Sequence, residues 1–428
     1  MRCERFALDG DPAALATQLR RLVPAPESVG EAVAEIIAQV RAHGDTALLD
    51  YVRRFDMGGG EPGALGGDEP AALRVTQAEL DEAERALDPS IRQGLQAAVE
   101  NVRRVAETAR HEDHTATFDT HQVTVREVPV DRAAVYVPGG RAPYPSTVVM
   151  GVVAARVAGV PEVVVCSPPD VHPAILGACA LTGASAVYRM GGAHAIAALA
   201  HGTESIEAVD VIVGPGNLYV QEAKRQVSGE VGIDGFAGPS DLLVIADATA
   251  DPDLVALDLL AQAEHGPGTL VVAVSEELAL LDAVQRSLHD APETGATCGV
   301  VQTADVDEAL GLAQAFAPEH IQLVGPAPEA LASKVTHAGC VFIGRNSGTA
   351  FGDYIAGSNH VLPTNGAARF ASALTPAHFR RRFTEVRITE PAPLATLAAP
   401  VARAEGFEVH ARSMEARIRD NGTDGANR

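Results

Sequence analysis

The chain of 428 residues is 46% hydrophobic and 21% charged, enough apolar content for a large core and more than one domain. A formal net charge of −23 argues against nucleic acid or an anionic membrane as partner, because both require basic surface. Five scattered cysteines (Cys3, Cys166, Cys179, Cys298, Cys340) lack any C-x-x-C spacing, the opening MRCERFALDGDPAAL lacks a leader's apolar core, and no apolar run approaches about 18 residues. The expectation is a cytoplasmic protein that keeps its thiols reduced.

Residues 12–110 read mostly as helix: GEAVAEIIAQVRAHGDTALLDYVRRF, ELDEAERAL and IRQGLQAAVENVRRVAETAR carry apolar residues at helical spacing. Among them DMGGGEPGALGGDEP reads as a Gly-rich surface loop over 57–69. From about 115 the period becomes two, so ATFDTHQVTVREVPVDRAAVYVPGG predicts paired strands. Between 135 and 350 nine short apolar strands (AAVYV, EVVVCSP, SAVYRMG, DVIVGPG, DLLVIAD, TLVVAVS, CGVVQT, HIQLVG, CVFIGR) alternate with Ala-rich helical stretches. That alternation predicts an α/β fold with parallel strands covered by helices, and nine strands fit two sheets better than one. The break falls near GPSDLLVIAD, after the Gly/Pro-rich VGIDGFAGPS. Beyond 375 the texture changes to a small C-terminal unit ending in the polar tail DNGTDGANR.

Several stretches carry groups that can do chemistry. In LLAQAEHGPGT, Gln262 and His265 share a helix face near its end, and Pro267 and Gly268 stop the helix. A carboxamide oxygen and an imidazole can bind a metal of borderline softness, or His265 can simply cap the last carbonyls. GTAFGDYIAGSNHVLPTNGAAR, residues 348–369, places Asp353 and His360 in a long segment without a core-forming pattern, which is usually functional. Its Phe351, Tyr354, Ile355, Val361 and Leu362 are expected to seek burial, against a plain surface loop. Three strand-to-helix junctions, YVPGGRAPYPS, MGGAHAIAALAHG and VIVGPGNLYVQEAKR, are rich in glycine; the last opens a helix at Asn217. None is a G-x-G-x-x-G fingerprint, but three in one α/β unit predict a ligand cleft along one sheet edge. In AQAFAPEHIQLV an acid and an imidazole, Glu319 and His320, stand where a helical pattern meets Pro318 and a strand begins. The pair reads either as an exposed polar helix end or as a general acid/base pair reaching one cleft. Cys166 and Cys179 have no neighbour that lowers a thiol pKa and read as small core residues rather than nucleophiles.

Together these stretches resemble histidinol dehydrogenase. YVPGGRAPYPSTVVM, VGPGNLYVQEAKR, AGPSDLLVIAD, QAEHGP, APEHIQL and GDYIAGSNHVLPT occur in that family's order, and the likeness runs from about residue 28 to 418. The resemblance implies oxidation of an amino alcohol to the aldehyde and then the acid, with two NAD per turnover. It implies zinc held by Gln262, His265, Asp353 and His410, two nitrogens and two oxygens. It implies Glu319 and His320 as the catalytic pair, with His320 taking the hydroxyl proton and Glu319 activating water on the aldehyde. Ser240, Gln262, His265, His320, Asp353, Glu405 and His410 would line the substrate site, while Tyr136, His194 and Asn217 would contact NAD. The implied fold is two related α/β domains of incomplete Rossmann type, one inserted in the other. By residue these are an extension at 1–25, a discontinuous first domain at 26–134 and 242–374, an inserted NAD-side domain at 135–241, and a small C-terminal domain at 375–428. The implied assembly is an intertwined homodimer in which Glu405 and His410 act in the partner's site.

Two positions depart from the family pattern. His194 stands where glutamine is usual, and imidazole offers fewer hydrogen-bonding sites than a carboxamide. Gly266 stands where an Asp commonly follows the metal-binding His, removing an expected outer partner for His265. Two other readings compete with L-histidinol oxidation. One is a related dehydrogenase acting on another polyol, such as a sulfonated propanediol; Glu405 argues against it, because a carboxylate suits a cationic amine and repels a sulfonate. The other is a non-catalytic binding protein on the same fold, disfavoured by the intact Glu319–His320 pair.

Overall fold

The structure, a computed structural model, describes residues 1–24, 28–57, 70–139, 142–236 and 238–420. The Gly-rich loop expected at 57–69 therefore lies outside the described residues, Met57 excepted. The chain divides into two compact units: Met1–Arg110 with Val130–Phe379, and His111–Pro129 with Arg380–Arg428.

The first unit is built on two parallel sheets, as the alternation of strands and helices predicts. One has five strands in the spatial order Ala186–Arg189, Glu162–Ser167, Arg132–Tyr136, Val211–Val213, Gly232–Ile233. The other runs Arg2–Ala7, Thr297–Gln302, Leu270–Ser275, Asp241–Ala246, His320–Val324, Cys340–Ile343. All neighbouring strands in both are parallel. Setting Arg2–Ala7 aside, each sheet has the order 3-2-1-4-5, a dinucleotide-binding topology lacking its sixth strand. All nine strands read from the sequence between 135 and 350 are present. Arg2–Ala7 was not anticipated: RCERFA mixes three charged residues with Cys3, Phe6 and Ala7 and lies partly exposed along one edge, so it lacks the continuous apolar run of a buried parallel strand.

Burial on both faces explains those apolar runs. In the five-stranded sheet Ala133, Val135, Val163 and Val165 pack into one core, while Ala134, Tyr136, Val164 and Cys166 pack into another. The second sheet repeats the division, with Leu242 and Val244 on one face and Leu243 and Ile245 on the other. Side chains alternate along a strand, so two covered faces favour apolar residues throughout; Gln322, buried in the middle of His320–Val324, departs from this and donates to Asp258 at 2.6 Å. Cys166 and Cys179 are core residues with thiols pushed up by burial, and all five cysteines are free. No helix among the described residues is long and apolar enough to cross a membrane.

The second unit is an antiparallel sheet of His114–Thr117, His121–Pro129 and Arg380–Ile388, with helices Pro391–Ala404 and Glu408–Asp420. The period-two pattern beginning near 115 supplies two of its strands. Arg403 joins the helices through Glu408 at 2.9 Å and Glu415 at 2.8 Å.

Candidate active site

Glu319 and His320 arise from a forced change of direction. Helix Val306–Phe316 ends because Ala317 turns left-handed (φ +49°) and Pro318 cannot continue a helix. Strand His320–Val324 begins at once, with the Glu319 carbonyl accepting from Cys340 N–H at 2.9 Å. The Glu319 side chain turns to the start of the neighbouring strand. Its Oε2 accepts from Asp241 N–H at 3.0 Å and from the Ser240 hydroxyl, while Glu319 N–H donates to Asp241 Oδ1 at 2.7 Å. Burial, and then the charge of Asp241, push its carboxyl well above the usual range.

His320 is 3% exposed, with Nδ1 at 3.8 Å from Glu319 Oε2 and Nε2 at 3.7 Å from Asp353 Oδ1. Neither distance is a hydrogen bond, and Nδ1 is buried without a partner. Burial, reinforced by His265, pushes His320 down to about 3, so the ring is neutral and able to take a proton.

Gln262 sits at the end of helix Pro252–Ala263, buried, and donates Nε2–H to Ser240 Oγ at 2.5 Å. That orientation leaves its Oε1 buried with no partner, an acceptor awaiting a ligand. His265 lies just past the helix, its Nδ1 at 3.0 Å from the Gln262 carbonyl. A carbonyl only accepts, so Nδ1 carries the proton and Nε2 keeps a free lone pair. The capping reading of His265 is the one seen here: its Nδ1 bonds the last turn of the helix. Gly266 has φ +93°, a conformation that a side-chain-bearing residue rarely adopts, and the Gln262 carbonyl supplies the ring's outer partner.

Asp353 does not stand in an irregular loop, as the sequence led us to expect, but in the short helix Thr349–Tyr354. Phe351 and Tyr354 on that helix are exposed rather than buried, 58% and 64% accessible. Burial raises Asp353 to about 6, with His265 pulling the other way. His360 orders the same segment, its Nδ1 3.0 Å from the Asp353 carbonyl and its Nε2 3.3 Å from Thr147 Oγ1.

Among the described residues no three His, Cys, Asp or Glu side chains converge as a metal cluster. The local donors are instead one carboxamide, one imidazole and one carboxylate, with the orphaned Gln262 oxygen among them. Their chemistry fits a divalent cation of zinc's type that takes a further ligand from elsewhere. Glu405 and His410 belong to the second unit, where both are exposed; Glu405 caps helix Pro391–Ala404, and the His410 ring lies 5.1 Å from that of Phe407.

The three glycine-rich junctions all follow strands of the five-stranded sheet. Tyr136 ends the central strand, and its hydroxyl accepts from Gly192 N–H at 3.1 Å. Gly214 follows Val211–Val213 with φ +113°, so close that an added Cβ would collide with the Tyr136 carbonyl. Asn217 caps helix Leu218–Val227 by accepting from Val220 N–H at 3.1 Å. His194 is 1% exposed and commits Nε2–H to Asp56 Oδ2 at 3.0 Å, the atom that also accepts from Gly191 N–H at 2.9 Å.

Sequence reasoning missed the charged residues beneath these turns. Lys224, fully buried, donates to the Gly214 carbonyl at 3.0 Å and pairs with Asp234, whose Oδ2 accepts from Gly214 N–H at 2.7 Å. The available signal was a lysine on the apolar Val220, Ala223, Val227 face of a helix. Asp56 and Arg20 lie in none of the motifs that carry the resemblance, and Asp241 stands in AGPSDLLVIAD without a role being read for it.

Comparison with known proteins places this architecture. A family model described as histidinol dehydrogenase matches residues 20–418. A histidinol dehydrogenase of Rhizobium meliloti is 42% identical over 96% of both chains. One from Natronomonas pharaonis is 43% identical over 92% of this chain and 94% of its own. The crystal structure of histidinol dehydrogenase from Elizabethkingia anophelis superposes with a TM-score of 0.89 at 30% identity, covering 99% of each chain.

Proposed function

This chain belongs to the histidinol dehydrogenase family, and from that premise we propose that it oxidises L-histidinol through the aldehyde to L-histidine, with NAD as acceptor, in histidine biosynthesis. The observation that carries the reading is the buried Glu319–His320 pair set beside the orphaned Gln262 oxygen.

NAD, when bound, supplies the hydride acceptor for both oxidations, and Tyr136, His194 and Asn217 would hold it. A zinc ion, when bound, supplies a Lewis-acid anchor for the substrate's imidazole and amine, and Gln262, His265, Asp353 and His410 would hold it. The protein's own groups divide the proton work. His320, kept neutral by burial, takes the alcohol proton as the first C–H bond is oxidised. Glu319, gripped by Ser240 and the Asp241 amide, takes a proton from the water that attacks the aldehyde. Ser240, held between Gln262 and Glu319, would line the substrate site with Glu405 and His410.

We infer from the family resemblance a homodimer in which the second unit, carrying Glu405 and His410, serves the partner subunit's site. Val386, Leu397, Val401 and Val409, all in the second unit, are each more than half exposed, as an interface awaiting a partner requires. The domain division proposed is the one set out from the sequence, with 135–241 inserted between 26–134 and 242–374, and 375–428 as the exchanged unit.

The decisive experiment is the NADH yield from limiting L-histidinol, with and without a strong chelator. Two NADH per substrate, lost on chelation and restored by zinc, is the expected result. One NADH would remove Glu319 from its role. None, from folded and zinc-loaded protein, would overturn the substrate.

A further inference from the structure

Arg20, the last residue of the N-terminal helix Pro12–Arg20, lies far from the catalytic pair in sequence and close to it in the fold. Its guanidinium stacks 3.9 Å above the Phe316 ring at the end of helix Val306–Phe316. Nη2 donates to the Phe316 carbonyl at 2.5 Å and toward that of Ala317 at 3.4 Å, while Nη1 donates to Asp241 Oδ2 at 3.1 Å. The other oxygen of Asp241 receives Glu319 N–H at 2.7 Å, and Asp241 N–H returns a bond to Glu319 Oε2 at 3.0 Å. One planar cation thus fixes the left-handed Ala317 turn and the carboxylate that orients Glu319. A guanidinium suits this work because its rigid fork serves several acceptors at once and its face stacks on an aromatic ring.

We propose that Arg20 is a positioning residue for Glu319, acting through Asp241 and the Ala317 turn, and that it serves the aldehyde-to-acid step in particular. The proposal rests on the reading of Glu319 as the base for water. It follows from connectivity: the paths from Arg20 lead to Glu319 by its backbone N–H, its carboxylate and the turn before it. His320 meets this network only through the Asp241 backbone, not through the Asp241 carboxylate that Arg20 holds, and its Nδ1 is without a hydrogen-bond partner. Loss of the cation loosens the water-activating group first. A cavity of about 460 Å³, lined by Thr17, Arg20, Arg21, Ser240, Asp241 and Asn365, gives the Arg20 site an opening through which a small cation can enter.

The test uses the full-length enzyme with Arg20→Ala, Arg20→Lys and Glu319→Gln. Oxidation of supplied L-histidinal is measured beside the first hydride transfer from L-histidinol in a single turnover. For Arg20→Ala, kcat on histidinal falls roughly 10–100-fold, the scale of a base displaced by about 1 Å. KM for histidinal and NAD stays within about twofold, and the first hydride transfer loses less than about threefold. Millimolar guanidinium restores histidinal oxidation in Arg20→Ala, and Arg20→Lys retains part of it. Equal loss in both steps, loss that vanishes once the folded fraction is counted, or absence of rescue with Arg20→Lys at full rate overturns the proposal. If Glu319→Gln oxidises histidinal normally, the reading of Glu319 fails. If Glu319→Gln is inactive on histidinal while Arg20→Ala is not, Arg20 alone loses its role.

Discussion

The two parallel sheets have the same strand order, Arg2–Ala7 aside, but carry their candidate site residues at opposite ends. In the sheet centred on Arg132–Tyr136, the glycine turns and Tyr136, Gly192 and Asn217 stand at the carboxyl ends of strands. In the sheet centred on Asp241–Ala246, Ser240 and Glu319 precede strands, and Gln262 ends a helix returning to that same amino edge. The difference is electrostatic. A strand's carboxyl end leads into a helix N-terminus, whose free N–H groups favour anions such as a dinucleotide's phosphates. Its amino end receives a helix C-terminus, whose carbonyls favour cations. Arg20 already exploits this at helix Val306–Phe316, and His265 donates to the last turn of helix Pro252–Ala263. An edge of that kind suits a metal ion and a cationic amine. On the proposed reading, one topology used twice from opposite ends would separate cofactor reading from proton chemistry.

Substitutions on the two edges should therefore fail in different parameters. The largest effect is expected for His320→Asn, which removes the proposed base while leaving the carboxyl-edge turns intact. Its kcat for L-histidinol should fall about 10²–10⁴-fold, with KM for NAD within about twofold. A large rise in KM for NAD would break the division. Next comes Lys224→Met, which strands Asp234 in the core and frees the Gly214 carbonyl. Breaking a buried pair costs about 3–5 kcal/mol, so denaturant titration should register a large loss, partly recovered by adding Asp234→Asn. Any folded Lys224→Met should show raised KM for NAD more than lowered kcat.

Much of this was legible in the sequence, for a physical reason. Buried parallel strands are continuous apolar runs, so each of the nine between 135 and 350 announced itself. Pro318 by itself marks Glu319 and His320 as standing at a helix-to-strand junction, which the structure bears out. Edge strand Arg2–Ala7 and helix Thr349–Tyr354 escaped because one lacks a buried strand's pattern and the other is only six residues long. The charged residues beneath the site escaped for a different reason. Arg20 meets Asp241 across 221 residues and Asp56 meets His194 across 138, and no local pattern encodes such a meeting. The resemblance named residues expected to touch ligands; the groups that hold those residues became visible only in three dimensions.

Gly214→Ala gives a smaller effect and the sharpest view of the carboxyl edge. Two independent constraints bear on this residue: φ of +113°, which disfavours any side chain, and an approach to Tyr136 that leaves no room for a Cβ. Backbone strain of this kind costs about 1–3 kcal/mol, less than a stranded buried charge. The turn can relieve the collision only by moving away from Tyr136, which shifts Asn217 and the start of helix Leu218–Val227 with it. Thermal unfolding should therefore show a modest loss of stability, while KM for NAD rises several-fold with kcat nearly kept, as expected when binding shared by ground and transition states is lost. Among the described residues, Gly214 bonds Asp234 and Lys224, neither of them on the amino edge of the other sheet. A fall in kcat at saturating NAD equal to that of His320→Asn would mean that the two edges are not separate in function, and the comparison would have to be abandoned.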